Sequence, residues 1–195
     1  MKKALLFLGM ITSIFFSCDK EGGPIPSDNK LEIQKDGVNY VDERSIILPP
    51  GAYDGPRLIY NTPSTINSSG IKESIRFTSS PYKKGNRNNK EFTFNIYFPV
   101  EGGVSLNKKY EIKPINGKEI FNIERDGRIL DHEKDLAYIR YTEDNKTYHY
   151  GTGYISFTHF DDSGLKENIK GSGTIEFSIL NKDGSKSILK GTFKL

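Results

Sequence analysis

The sequence has one cysteine, Cys18, and no tryptophan, and its two methionines, Met1 and Met10, both lie in the first ten residues. A single thiol excludes an intrachain disulfide framework and a thiolate metal cluster. The missing tryptophan removes the side chain that offers a sugar ring its largest stacking surface. Net charge is also scarce. Twenty-eight Lys and Arg stand against 25 Asp and Glu, and beyond residue 17, without Lys2 and Lys3, the balance is 26 against 25. A nucleic-acid partner needs a basic excess to displace counterions from phosphate, so that class is excluded. The one long apolar run, Ala4 to Phe16, falls short of the roughly 20 residues a bilayer span takes. With 27% charged and 35% hydrophobic residues in a chain of 195, the composition fits one globular domain.

What is present begins with an address. Met-Lys-Lys, the apolar run and the small Ser17 make a secretory signal peptide, and Phe15-Phe16-Ser17-Cys18 resembles a lipobox, with Phe16 where that pattern prefers a small residue. The resemblance implies cleavage after residue 17 and acylation of Cys18. Asp19-Lys20-Glu21 followed by Gly22-Gly23-Pro24 is similar to the leaders of Bacteroidota lipoproteins. That likeness implies an outer-membrane protein exported to the cell surface, with a periplasm-facing position as the alternative. The chain then divides into a signal peptide (1–17), a lipidated cysteine with a Gly- and Pro-rich tether (18–30) and one folded body (31–195). Twelve tether residues extend to about 40 Å at ~3.3 Å each.

The body reads as strands and turns. Phe92, Phe94, Ile96 and Phe98 alternate with Thr93, Asn95 and Tyr97, and Pro99 closes the run. Ile175, Phe177 and Ile179 share one parity, as do Leu189, Phe193 and Leu195 across the Asp183-Gly184 turn. Asp36-Gly37 and Asp126-Gly127 repeat that turn chemistry, and Asp144-Asn145 is expected to join a strand over Leu136–Thr142 to a long one over Thr147–Phe160. Pro49 to Ser69 reads as loops around a short edge strand, Arg57–Tyr60. A helix near Asp131–Tyr138 has room for two turns at most. Gly153-Tyr-Ile-Ser-Phe and Gly173-Thr-Ile-Glu-Phe look alike, as two neighbouring strands would. The expected fold is all-β, an antiparallel sandwich or small barrel of about ten to twelve strands. The last third is similar to the closing strands of uncharacterised Bacteroidota lipoprotein families, and this likeness implies no activity.

Chemistry is thin. The only thiol is assigned to lipid, and no Gly-x-Ser-x-Gly elbow occurs. Gly171-Ser172-Gly173 has the wrong frame for that elbow, Gly151-Thr152-Gly153 lacks the third glycine and the helix that phosphate cradling requires, and both read as bulges or close strand contacts. His149 and His159 share a parity but stand roughly 33 Å apart along a continuous strand, too far for one metal. Asp131-His132-Glu133 with Asp135, and Asp161-Asp162 with Glu167, lack the spacing of a calcium loop and read as solvated turns, with an oxygen-loving cation as the alternative. No cofactor is implied. Two patches are candidate ligand sites. Tyr148, Tyr150 and Tyr154 share a parity, with Phe160 at the end, and form either a stacking platform or core. The loop Lys83–Lys90 carries Lys83, Lys84 and Arg87 beside Tyr82, either as an anion grip or as a solvated hairpin protecting a strand edge. The expected function is a non-enzymatic, membrane-anchored module that binds a glycan or protein partner. The alternatives are a small carboxylate-based hydrolase acting on glycans and a periplasm-facing accessory subunit of an envelope complex.

Overall fold

A computed structural model describes residues 29–43, 55–61, 74–99, 103–115, 136–163, 169–181 and 183–195. Cys18, the tether as far as residue 28, Asp126-Gly127, Asp131–Asp135 and Glu167 lie outside these residues, while Lys30, counted to the tether from the sequence, opens the first strand. The described chain is all-β. Its strands are β1 (Lys30–Lys35), β2 (Val38–Glu43), β3 (Arg57–Asn61), β4 (Ser74–Ser79), β5 (Tyr82–Lys83), β6 (Phe92–Pro99), β7 (Lys109–Lys113), β8 (Leu136–Glu143), β9 (Lys146–Tyr148), β10 (Gly151–Asp161), β11 (Lys170–Leu180) and β12 (Lys186–Lys194). They form one sheet in the order β3-β4-β6-β8-β7-β10-β11-β12-β1-β2-β5, with β9 paired to β8. The sheet curls into a half-barrel around a shared interior.

Two sequence expectations need correction. The sheet is mixed rather than wholly antiparallel, because β7 and β8 run parallel, in register at Glu111↔Leu136 and Lys113↔Tyr138. A parallel pair needs a crossover connection, and the chain from Lys113 to Leu136 is long enough to make one. The expected strand Thr147–Phe160 is broken at His149-Tyr150. Only β9 returns along β8, while β10 moves to a place between β7 and β11. The turn itself forms as expected. Asp144 and Asn145 take φ of 49° and 59°, and Asp36 and Gly37 take 48° and 86°, the double positive φ of two-residue hairpins.

Alternation decides what fills the interior. Phe92, Phe94, Ile96 and Phe98 point inward, as do Ile175, Phe177 and Ile179, and all are buried. Leu189 and Phe193 join the same cluster, and Leu195 packs against it. The last strand is therefore central: β12 pairs with β11 on one side and with β1 on the other. Aromatic rings interlock across the curl, with Phe77 and Phe193 centroids 4.9 Å apart and Phe94 and Phe177 5.3 Å apart. Edge-to-face and offset contacts of this kind add about 0.5–1.5 kcal/mol per pair beyond area burial.

The two glycine motifs face each other. β10 and β11 pair about Ile155↔Ile175, so Gly153 lies opposite Phe177 and Gly173 opposite Phe157. A Cβ on Gly173 would stand 1.9 Å from the Ser156 carbonyl oxygen and 2.9 Å from the Phe193 ring. Strands approach here closer than any side chain allows, and the tight curl needs that approach. A bulge between Phe157 and His159 then shifts the parity of β10 and turns Phe160 inward against Phe157.

The curl brings the ends of the sheet together. β5 follows β4 after only Ser80 and Pro81, yet it pairs with β2 at the far end of the strand order. Asp42, 2% exposed, fastens this corner: its Oδ2 accepts hydrogen bonds from the Ser79 hydroxyl at 2.5 Å and the Ser80 N–H at 2.8 Å. On the other flank β3 is the terminal strand that the sequence led one to expect, touching Ile169 through a single bridge at Leu58.

Candidate functional site

The tyrosines chosen from the sequence do not form one face. Tyr148 packs against the interior cluster, with its ring 6.1 Å from that of Tyr141. Tyr150 sits in the break between β9 and β10 and is 59% exposed. Tyr154 lies on the outer face of β10, where its hydroxyl donates to Glu176 at 3.3 Å and the Lys109 ammonium stands 4.0 Å from its ring centroid. The break at His149-Tyr150 separates the three, since constant parity requires a continuous strand.

Lys83, Lys84 and Arg87 stay together on an exposed loop. It lies along β2, with Lys83 opposite Tyr40, the Lys84 N–H donating to the Asn39 carbonyl, and Arg87 reaching the Glu43 carbonyl at 3.5 Å. The loop covers part of an otherwise open strand edge. His159 is exposed on the bulged stretch of β10, whereas His149 lies in the break. Asp161 closes a local turn by accepting from the Ser163 N–H at 2.9 Å, and these hydrogen bonds lower its pKa. Asp162 accepts from the Tyr60 hydroxyl at 2.6 Å. Among the described residues no three His, Cys, Asp or Glu side chains converge.

One end of the half-barrel carries a polar cap. Lys35, at the end of β1, pairs with Glu143, and its ammonium lies 5.5 Å from the Phe92 centroid and 5.7 Å from that of Tyr141. Tyr141 donates to Glu143 at 3.0 Å, and Tyr40 donates to Glu91 at 2.9 Å. Burial, then the Glu91 contact, pushes the Tyr40 phenol up to about 12. Burial also raises Tyr141, with Glu143 adding to it. Every partner here is internal, so the cap closes the interior.

The outer face of β3, β4, β6 and β8 differs. Inward residues Leu58, Ile75, Phe77, Ile96 and Ile139 fix the opposite parity outward. One cross-strand row is then Arg76, Tyr97 and Tyr138, each directly opposite the next. The adjacent row is Arg57, Thr78, Asn95 and Arg140. Among the described residues, the outward positions of these four strands hold three arginines and no carboxylate. Tyr97 and Tyr138 are nonetheless 0% and 2% exposed, packed with Ile115 and Leu136 in a second small cluster outside the barrel. Three buried polar atoms on this face have no hydrogen-bond partner: Ser74 Oγ, Arg76 Nε and Tyr138 OH. Each such group costs about 1–3 kcal/mol when it is left without a partner.

Local alternation sets Tyr97 on the polar parity of its strand and does not reveal that this side is covered. The only signal was arginine and tyrosine at matching parity on three strands, and their adjacency depends on a pairing order that local pattern does not reveal. Comparison with family models, curated proteins and solved structures gives no match to this chain.

Proposed function

We propose that the chain is a lipid-anchored protein of the bacterial envelope, held in the outer membrane through Cys18 and facing the cell exterior, whose β-domain binds a ligand or partner without transforming it. The anchor is supported by the leader, in which the one thiol of the chain stands at the lipobox position. Binding is supported by the candidate ligand groups that stay open to solvent, Tyr150 and the cations of Lys83, Lys84 and Arg87.

The test is fractionation. A cysteine carrying two or more acyl chains anchors stably, where a single chain binds reversibly. The Cys18→Ser chain is expected in the soluble fraction in detergent-free buffer, while the wild type sediments with membranes. Protease shaving of intact cells is expected to remove the wild-type domain. A Cys18→Ser chain that still sediments with membranes overturns the anchor, and a domain protected in intact cells but cleaved after lysis overturns the outward face.

A further inference from the structure

We infer that the exposed loop from Lys83 to Lys90 is a docking surface for an acidic polysaccharide, whose uronate or sulfate groups meet Lys83, Lys84 and Arg87. This occupant rests on the binding reading above and deepens it, and the anchor has no part in it.

The charge of this loop is left uncompensated. Lys83, Lys84 and Arg87 are all exposed, and like charges in so short a stretch repel. The carboxylates on the elements beside them are engaged elsewhere. Glu43 accepts from the Tyr82 hydroxyl at 3.0 Å and Glu91 from that of Tyr40 at 2.9 Å. Asp42 accepts from Ser79 and Ser80, Asp36 from the Ile188 N–H, and Glu32 pairs with Lys30. Among the described residues no carboxylate pairs with the Lys83 or Lys84 ammonium, and Arg87 gives one N–H to the Glu43 carbonyl at 3.5 Å, keeping its other donors for a ligand.

The main chain of the loop is nonetheless fixed. The Lys84 N–H donates to the Asn39 carbonyl at 3.2 Å, Asn86 to Lys83 at 2.8 Å, Asn89 to Asn86 at 3.3 Å and Glu91 to Pro81 at 3.2 Å, and Tyr82 bridges to Lys90. A backbone held at both ends and within loses little freedom on binding, so the cations are presented at low entropic cost. Composition then selects the occupant. From Lys83 to Lys90 there is no apolar residue, which a lipid surface would need to bury. The adjoining Tyr82 is 5% exposed, so no ring is open for the base stacking of a single-stranded nucleic acid. Asn86, Asn88 and Asn89 add exposed amides that both donate and accept, as sugar hydroxyls require. A chain carrying acid groups and hydroxyls satisfies both sets of side chains.

The experiment measures binding of the Cys18→Ser chain in solution to polygalacturonate, dextran sulfate and neutral dextran. Binding to at least one of the two acidic polymers and not to dextran is expected, with an affinity that falls as salt rises. Three cations that release counterions give a log–log slope of about −2 to −3. Adding Lys83→Gln, Lys84→Gln and Arg87→Gln together is expected to leave the melting temperature unchanged and to weaken binding about tenfold or more, the sum of three exposed ion contacts. A control with Lys113→Gln, Lys186→Gln and Lys190→Gln removes the same charge from exposed strand positions and is expected to bind like the parent chain. Equal affinity for the acidic polymers and dextran, or none for any of them, overturns the inference. So does an equal loss in both triple variants, which would reduce the effect to net charge. Binding to vesicles of phosphatidylcholine and phosphatidylglycerol in place of the polymers overturns the sugar occupant in favour of a lipid surface. Loss of polymer binding in Tyr150→Ala while the loop variant keeps it overturns the loop and leaves the binding reading standing.

Discussion

Replacing Phe193 by alanine tests whether the last strand is structural. Phe193 is 3% exposed, two positions from the C-terminus, where chains usually fray. Its ring contacts those of Phe77 at 4.9 Å and Phe157 at 5.5 Å. Directly across one side is Gly173, which has no side chain to move into the gap, and across the other is the fully buried Leu31. Both neighbours are hydrogen-bonded strands, so the backbone is held and collapse into the cavity is poor. Phe→Ala in a core costs about 3–5 kcal/mol, and the cost is largest where relaxation is smallest. About 4 kcal/mol, with a urea slope near 2 kcal/mol per molar, lowers the unfolding midpoint by about 2 M at unchanged slope. The control is Ile188→Ala on the same strand, 57% exposed, with an expected effect within about 0.5 kcal/mol. Equal midpoints for Phe193→Ala and Ile188→Ala would refute the reasoning and make β12 a loosely held edge.

Two further outcomes follow from the corner and the capped interior. Asp42→Ala removes the acceptor of the Ser79 hydroxyl and the Ser80 N–H, and is expected to destabilise by about 3 kcal/mol, read as a lowered urea midpoint; an unchanged midpoint would mean that the corner closes without it. Tyr40 and Tyr82 titrate near 12 in the fold and near 10 when unfolded, so the folded state keeps protons that the unfolded state releases. Stability from these two groups is full below pH 10 and is expected to fall between about pH 10 and 12, with the tyrosinate absorbance of the folded protein lagging that of the unfolded chain; coincident titrations would contradict their burial.

Legibility followed the range of the interactions. The Asp-Gly and Asp-Asn turns, the alternation of β6 and the final hairpin were readable because each is decided within a few residues. So was the adjacency of the two glycine motifs, whose likeness reads as neighbouring strands, though not the register that sets Gly153 against Phe177 and Gly173 against Phe157. The break at His149-Tyr150 was hidden, since aromatic and polar residues continue the alternation through it. The parallel pairing of β7 with β8 was hidden as well, because nothing in either strand names its neighbour. Tyr97 shows the limit most clearly. Its parity correctly turns it away from the interior, but burial on that side comes from Tyr138 and Ile115, which are distant in sequence.

The position of β1 has a mechanical consequence. All six of its residues are paired on both sides, with β12 and with β2. Tension between residue 29 and a load borne at the far end, near Lys35, runs along the strand axis. It loads both ladders in shear, so their hydrogen bonds must yield together rather than one after another from an end. A strand at the sheet's margin would have offered half that resistance, and a hairpin pulled across its strands would unzip. A pull on the chain ahead of residue 29 is thus borne by a strand held on both sides.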